Sequence, residues 1–159
     1  MQKGGFWLII EYEINSSTLI IFPIDNKKCR IVESDLEFFV NKKSTKVIEE
    51  SCLFFGCSYL GRVEGTKKLI NVAVKAPIIV EESKKIIFFP TSSPRLDTCM
   101  WISYNNLVKY TKNNDNNTIL YFKNNQEIEI DVSYNIIDNK IVRCIKLEKE
   151  LIRRKKVIK

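Results

Sequence analysis

The chain has 159 residues, of which 45% are hydrophobic and 28% are charged. This length fits one domain with an ordinary core, and the composition excludes an intrinsically disordered chain. No stretch reaches the roughly 18 uncharged apolar residues that a membrane-spanning helix needs, and the apolar run after Lys3 covers only residues 6–10. We therefore expect one folded domain without a signal peptide or a membrane anchor.

The formal net charge of +7 is concentrated at the C-terminal end. Nine basic and two acidic residues follow residue 139, so residues 1–139 are neutral in total. Clustered Lys and Arg release counterions when they contact phosphates, which is typical of a protein that binds a polyanion. A solubilising tail has the same composition, so charge alone leaves both interpretations open. The domain is divided accordingly into a β-rich body, residues 1–139, and a basic helix or tail of the same domain, residues 140–159.

Strands are predicted over most of the body. Short apolar runs rich in Ile, Val, Phe and Tyr alternate there with Asn, Lys, Asp, Ser and Pro, which is the pattern of a β-rich domain. Two hairpins are predicted from turn residues, at 15–17 between the first two strands and at 124–125. The predicted strands are 6–14, 18–24, 29–32, 36–40, 69–74, 78–80, 86–89, 100–103, 118–122 and 127–132.

Two helices are predicted. Ser44 or Thr45 is expected to cap a short internal helix over residues 46–55, which ends at Gly56. The C-terminal segment is predicted as an amphipathic helix, because its apolar and basic residues separate on a 3.6-residue period. The predicted fold class is therefore α+β, with a β-rich body, a short internal helix and a C-terminal basic helix. The predicted apolar stripe of that last helix is Ile137, Ile141, Cys144, Ile145, Leu151 and Ile152, opposite Arg143, Lys146, Lys149 and Arg153.

An enzyme is not expected. The chain has no histidine, the usual general base near neutral pH, and it contains no glycine-rich phosphate loop. Cys52 and Cys57 have the wrong spacing for a zinc site, and no second pair follows them. Cys99 lacks an imidazole partner that would make it nucleophilic. We expect no catalytic residues, no metal and no cofactor, and we expect the five cysteines to be reduced and structural.

One segment differs from the rest in composition. Residues 51–66 read SCLFFGCSYLGRVEGT and hold three of the five glycines, Gly56, Gly61 and Gly65, with Arg62 between the last two. Two interpretations follow from the residues. The segment is either a helix pair or twisted loop whose aromatic residues fill the core and whose Arg62 forms a structural ion pair, or a small-residue loop that inserts Arg62 into a narrow groove.

This segment is similar to the S-C-x-F-F-G-x-S-Y-x-G-R-x-x-G-T run of the ComK family of bacterial competence regulators. Further blocks in the family's order are residues 12–15 and 38–41 upstream, and 77–80, 88–91, 99–103 and 133–135 downstream. Several blocks in one order are far harder to produce by chance than a single motif. The positions that match the run are Ser51, Cys52, Phe54, Phe55, Gly56, Ser58, Tyr59, Gly61, Arg62, Gly65 and Thr66, and Trp101 belongs to a later block.

Two positions depart from the family pattern. Met100 stands where the family usually has glycine before Trp101, which implies a small change in packing. The family's adaptor-binding tail, an aromatic-Met-Leu-Tyr-Pro-like element, does not occur in the printed sequence. Binding to a Clp adaptor, which the resemblance would otherwise imply, is therefore doubtful for this chain.

The resemblance implies a cytoplasmic, nucleoid-associated activator that binds A/T-rich promoter boxes as dimers or tetramers, largely through the minor groove. A narrow A-tract groove concentrates negative potential, so inserted cations can select sequence through its shape. We expect one group of cations to surround the reading surface and the C-terminal group to contact phosphates. The first group is Arg62, Lys67, Lys68, Lys75 and Arg95, and the second is Arg153, Arg154, Lys155 and Lys156.

Other roles stay open from the sequence. The basic helix is alternatively a dimer seam through Ile141, Ile145 and Ile152, or a contact surface for RNA polymerase. The whole chain is alternatively a protein-interaction module that has lost activation. A third alternative is an RNA-binding β domain that stacks bases on Phe54, Tyr59, Trp101 or Tyr104.

Overall fold

The structure is a computed structural model that describes residues 6–156 of the chain, with side chains from residue 8 onward. Two sheets and three helices make one α+β fold, which confirms the predicted fold class. The end of the predicted tail, residues 157–159, lies outside the described residues. The elements in chain order are β1 (Phe6–Ile9), β2 (Thr18–Pro23), β3 (Cys29–Glu33), β4 (Glu37–Val40), α1 (Ser44–Phe54), α2 (Tyr59–Ile70), β5 (Ile78–Glu81), β6 (Ile86–Pro90), β7 (Trp101–Ser103), β8 (Leu107–Lys112), β9 (Asn117–Phe122), β10 (Glu127–Ser133) and α3 (Tyr134–Lys156).

The larger sheet has seven strands in the order β1-β4-β3-β2-β7-β6-β5, and the smaller has the order β10-β9-β8. Neighbouring residues of the central strands point to opposite faces of the larger sheet. Ile21 and Trp101 pack with α1 on one face, whereas Ile20 and Ile102 pack with the smaller sheet and α3 on the other. The larger sheet is therefore the middle layer of the molecule, and both of its faces are buried.

Helix α2 lies beside β5, the edge strand of the larger sheet, and contacts both α1 and α3. Its first half packs Tyr59 and Val63 against the cluster under α1, and its last turn packs Leu69 and Ile70 against the cluster under α3. An apolar residue at each end thus fixes the helix against a different layer. This position determines where its exposed residues point.

Three sequence predictions about strands are wrong, and one strand is missing from them. The first predicted strand, 6–14, ends at Ile9. The turn at 15–17 does not join a hairpin, because β1 pairs in parallel with β4 instead of β2. Residues 69–74 are not a strand: α2 continues to Ile70 and is ended by Asn71 in the left-handed conformation, φ 55°. Strand β8 was not predicted, since its polar and half-exposed residues lack a clear apolar alternation. The hairpin at 124–125 is confirmed, with Asn125 at φ 67° between β9 and β10.

The capping prediction for α1 is also wrong, although the helix itself is confirmed. Lys43 precedes the helix at the capping position and makes no side-chain capping bond. The hydroxyls of Ser44 and Thr45 instead donate to the carbonyls of Cys99 and Pro94, at 2.6 and 2.8 Å. These two hydrogen bonds hold the helix against the loop before β7. Such long-range contacts cannot be predicted from local sequence rules.

The apolar stripe of α3 differs from the prediction at two positions. Ile137, Ile141 and Cys144 are buried and Leu151 is half-buried, but Ile145 and Ile152 are 39% and 50% exposed. The buried face runs through 137, 140, 141, 144 and 147 and so places Lys140, 7% exposed, in the interior row. A lysine within an apolar row is not recognised from the hydrophobic period alone.

Candidate nucleic-acid interface

The matched run at residues 51–66 forms two helices, α1 and α2, joined by a tight turn. Gly56 ends α1 at φ 85°, a conformation that favours glycine, and Cys57 N–H donates to the Cys52 carbonyl at 3.0 Å. Ser58 begins α2 by accepting the Gly61 N–H at 2.9 Å, and a Cβ on Gly61 would lie 2.8 Å from the Ser58 hydroxyl oxygen. The segment is therefore a helix pair and not an inserting loop. The expectation that its aromatic residues fill the core is wrong for the two phenylalanines, since Phe54 is 64% and Phe55 37% exposed.

Several motif residues serve the interior of the fold. Ser51 accepts the Ile14 N–H at 3.0 Å, and the fully buried Trp101 donates its indole N–H to the Thr45 hydroxyl at 3.1 Å. Thr66 is 1% exposed, and its hydroxyl has no hydrogen-bond partner among the described residues. Trp101 is therefore not available to stack on a base.

The turn between α1 and α2 carries an exposed apolar tip, which consists of Leu53, Phe54, Phe55 and Leu60. Leu53, Phe54 and Leu60 are each about two-thirds exposed, and the two phenylalanine rings meet edge to face at 5.2 Å. Gly65 lies farther along α2 on its exposed side, with open space where a Cβ would stand. Exposed groups of this size on one turn are unusual for a solitary domain and mark a contact surface.

Arg62 lies near the start of α2 and is held by other parts of the protein. Its Nε–H donates to the Cys57 sulfur at 3.3 Å, and its Nη1 lies 3.9 Å from a Glu82 carboxylate oxygen. Lys155, from the far end of α3, forms an ion pair with the same carboxylate. The Arg62 side chain is 26% exposed, so its guanidinium reaches the surface. At the surface it is already paired with the carboxylate of Glu82.

The C-terminal cations are also largely paired. Arg153 and Arg154 both donate to the carboxylate of Glu150, with Nε–O distances of 3.1 and 2.6 Å. These hydrogen bonds lower the pKa of Glu150 to about 2. Lys156 is exposed and makes no ion pair within residues 6–156. Three of the four predicted phosphate-contacting residues thus have an acid of their own protein beside them.

Cations without acidic partners collect at a different place, the junction of α2, the loop after it and α3. Lys67 and Lys68 lie in the last turn of α2, and Lys75 lies in the loop at φ 57°. Arg143 of α3 holds this loop, because its Nη1 donates to the carbonyls of Val74 and Lys75 at 2.6 and 3.2 Å. We call Lys75, Lys140 and Arg143 the junction cluster; none of the three makes an ion pair in the described part of the chain.

Lys140 is the least expected member of the junction cluster. Burial of its side chain, followed by the positive charges of Arg143 and Lys75, lowers its pKa to about 8. Neither Lys140 nor Arg143 was among the predicted site residues. A lysine at a core position of an otherwise apolar helix row is the sequence signal that could have identified Lys140.

Arg95 lies apart from the other predicted cations. Its carbonyl accepts a hydrogen bond from Lys43 at 2.7 Å, and its side chain lines a surface hollow with Thr45 and Tyr59 near the start of both helices. Lys67, Lys68 and Lys75 lie at the opposite end of α2, a helix roughly 18 Å long at 1.5 Å per residue. The predicted DNA-binding residues therefore occupy at least two separate regions.

The cysteines offer little reactive chemistry. All five are free thiols, and burial raises the pKa of Cys29 to about 12. Burial is also the main cause of the raised pKa of Cys52, about 12, and of Cys99. Within residues 6–156, no group of three or more Cys, Asp or Glu side chains is arranged to hold a metal ion. The helices described here include none that is long and apolar enough to cross a membrane.

Similarity to known proteins covers nearly the whole described chain. The family model described as ComK protein matches residues 9–156. A curated protein of Bacillus subtilis (strain 168), named competence transcription factor, is 37% identical over 135 residues, which cover 83% of this chain and 70% of that protein. No solved structure matches the chain at a significant level. The chain belongs to the ComK family.

Proposed function

We propose that this protein is a transcription activator of competence genes that binds duplex DNA. Its family membership and the name of the Bacillus subtilis relative, competence transcription factor, support this activity. The observation that carries the DNA-binding part is the group of cations without acidic partners at the end of α2 and in the junction cluster. Phosphates of DNA are the natural counter-ions for such a group. A protein of this kind acts in the cytoplasm, at the nucleoid.

The finer proposal is that the protein selects A/T-rich boxes through the shape of the minor groove, as a dimer or a tetramer. Arg62, Lys67, Lys68, Lys75 and Arg95 are proposed to surround the reading surface. Arg153 to Lys156 are proposed to add phosphate contacts that do not distinguish sequences. A narrow A-tract groove attracts cations without any base-edge contact, so a helix in the major groove is not required.

The test is a mobility-shift series with an A/T-box duplex and a G/C-rich duplex of equal length over a range of salt concentrations. We expect a shift with both duplexes at low salt and a preference for the A/T box that persists as salt rises. Arg62→Ala should weaken binding to the A/T box more than binding to the other duplex. Equal affinity for both duplexes at every salt concentration would contradict minor-groove selection.

A second candidate is a protein-interaction module without activation, and the apolar tip favours it. Three side chains there, Leu53, Phe54 and Leu60, are about two-thirds exposed on one turn. A pure interaction module would give no shift with either duplex, even at low salt. The same mobility-shift series therefore separates the two candidates.

A further inference from the structure

We propose that the junction cluster, Lys75, Lys140 and Arg143, is a binding site for a backbone phosphate of duplex DNA. The inference rests on the proposed function and adds to it the place where the DNA backbone is held. It assigns Lys75, at the rim of the proposed reading surface, to a backbone phosphate and not to the groove. Lys140 and Arg143 lie one turn apart on α3, and the guanidinium of Arg143 reaches the loop that carries Lys75. The three cations come from two parts of the chain that are far apart in sequence.

Lys140 supplies the first argument. Its side chain is 7% exposed, and it makes no hydrogen bond or ion pair among the described residues. The aliphatic stem of the side chain packs in the interior row of α3, whereas its ammonium nitrogen is not among the fully buried atoms that lack a hydrogen-bond partner. The charged end of Lys140 is therefore open to an anion from outside the protein. The charges of Arg143 and Lys75 both lower the pKa of Lys140, after the larger effect of burial. Three cations whose charges act on one another and that have no acidic partner among residues 6–156 favour an anion as ligand.

The backbone at Lys75 supplies the second argument. Lys75 has φ 57°, a left-handed conformation that an ordinary side chain adopts at a cost of about 1 kcal/mol. Glycine or asparagine would remove that cost, as Asn71 does at the end of α2. A lysine at this position fits a requirement for its positive charge.

Arg143 supplies the third argument. One of its terminal nitrogens already donates to the Val74 and Lys75 carbonyls, so the guanidinium is fixed in position before any ligand binds. A fixed guanidinium with further N–H groups matches the acceptor-rich shape of a phosphodiester. Arg143 and Lys75 lie near enough to Lys140 to lower its pKa, so the three positive charges act together. Because a phosphate contact carries no sequence information, this site should hold A/T-rich and mixed duplexes equally well.

Lys85 provides a matched control for Lys75. It also has a left-handed backbone, φ 55°, but it lies in the turn between β5 and β6. Replacing either lysine with glycine removes one positive charge and one strained residue. Both Lys75→Gly and Lys85→Gly should therefore raise the midpoint of thermal unfolding, and only their DNA affinities should differ.

The experiment measures dissociation constants by fluorescence anisotropy over a salt series, with an A/T-box duplex, a mixed duplex and a single-stranded RNA. Lys75→Gly and Lys140→Met should each weaken binding to both duplexes roughly fivefold and lower the salt slope by about one, whereas Lys85→Gly should change neither. The proposal is overturned if Lys75→Gly and Lys85→Gly have the same affinity for the duplexes. It is also overturned if only the affinity for the A/T box, or only the affinity for the RNA, decreases. If the unaltered protein binds neither duplex at low salt, the proposed function itself fails, and this site with it.

Discussion

Two regions of the molecule carry concentrated positive charge, and they differ in what surrounds it. At the end of α3, Arg153 and Arg154 pair with Glu150. At the junction cluster, Lys140 and Arg143 have no acidic partner among the described residues, and Lys140 is buried as well. A cation that is already paired gives up part of its attraction for a second anion. Net charge in the sequence is therefore a weaker guide to an anion site than the charge that remains uncompensated in the fold.

The largest expected difference between the two regions is the effect of removing one arginine. Arg143→Ala should weaken duplex binding more than tenfold, because it removes a cation and also releases the loop that carries Lys75. Loss of hydrogen bonds from a charged group should lower the unfolding free energy by about 2 kcal/mol, measured in urea. Arg154→Ala is the comparison: it should weaken duplex binding only about twofold, because Glu150 already compensates the charge of Arg154, and it should change the unfolding free energy little. Equal losses of affinity in the two variants would remove the distinction between the regions.

A pH series should change two quantities in opposite directions, the unfolding free energy and the DNA affinity. Both changes should be smaller than those expected for Arg143→Ala. The pKa of Lys140 is about 8 in the folded protein, below the ordinary value of 10.5, so the unfolded chain binds more protons between these values. Raising the pH through about 8 should therefore increase the unfolding free energy while DNA affinity falls severalfold. Chemical unfolding and anisotropy across this range test the two signs. Lys140→Met should abolish both changes, and their persistence in that variant would assign them to other groups.

The smallest expected effect is an increase in affinity for duplex DNA. Glu82→Gln should strengthen binding to any duplex about threefold at low salt, because it frees Arg62 and Lys155 and removes one negative charge. Glu81→Gln removes the same charge from a neighbouring side chain that pairs with no cation in the described chain. Anisotropy on both variants separates the release of Arg62 and Lys155 from the general change in charge. An equal gain in the two variants would show that pairing to Glu82 does not matter.

The sequence predicted most of the strands and the family because those signals are local. Apolar runs bounded by turn residues and the run at residues 51–66 can be read without knowing any contact. The hairpin at 124–125 was predicted for the same reason, since asparagine tolerates the left-handed conformation that this turn requires.

Long-range contacts explain the errors. Residues 69–74 have a strand-like composition, but Leu69 and Ile70 pack in the last turn of α2 against the layer under α3. The hydroxyls of Ser44 and Thr45 bond to residues about fifty positions away instead of capping their own helix.

The candidate site was predicted only in part. Lys75 is predicted because it lies beside a matched block. Lys140 is missed because it occupies an apolar row of α3. Arg143 is missed because the denser group of cations at 153–156 follows it in the sequence. Ion pairing to Glu82 and Glu150 depends on the packing of α3 against the rest of the molecule. Spacing along the chain does not reveal such pairing.

The pairing of β2 with β7 has a consequence for how the chain folds. Strands β2 to β4 and strands β5 to β7 each follow one another closely in sequence, whereas Ile20 and Ile21 pair with Ile102 and Trp101 across about eighty residues. Closing so long a loop carries an entropic penalty before the contact forms, so this pairing should be a late step. Since all four residues are fully buried, the two halves of the larger sheet should unfold together once the pairing opens.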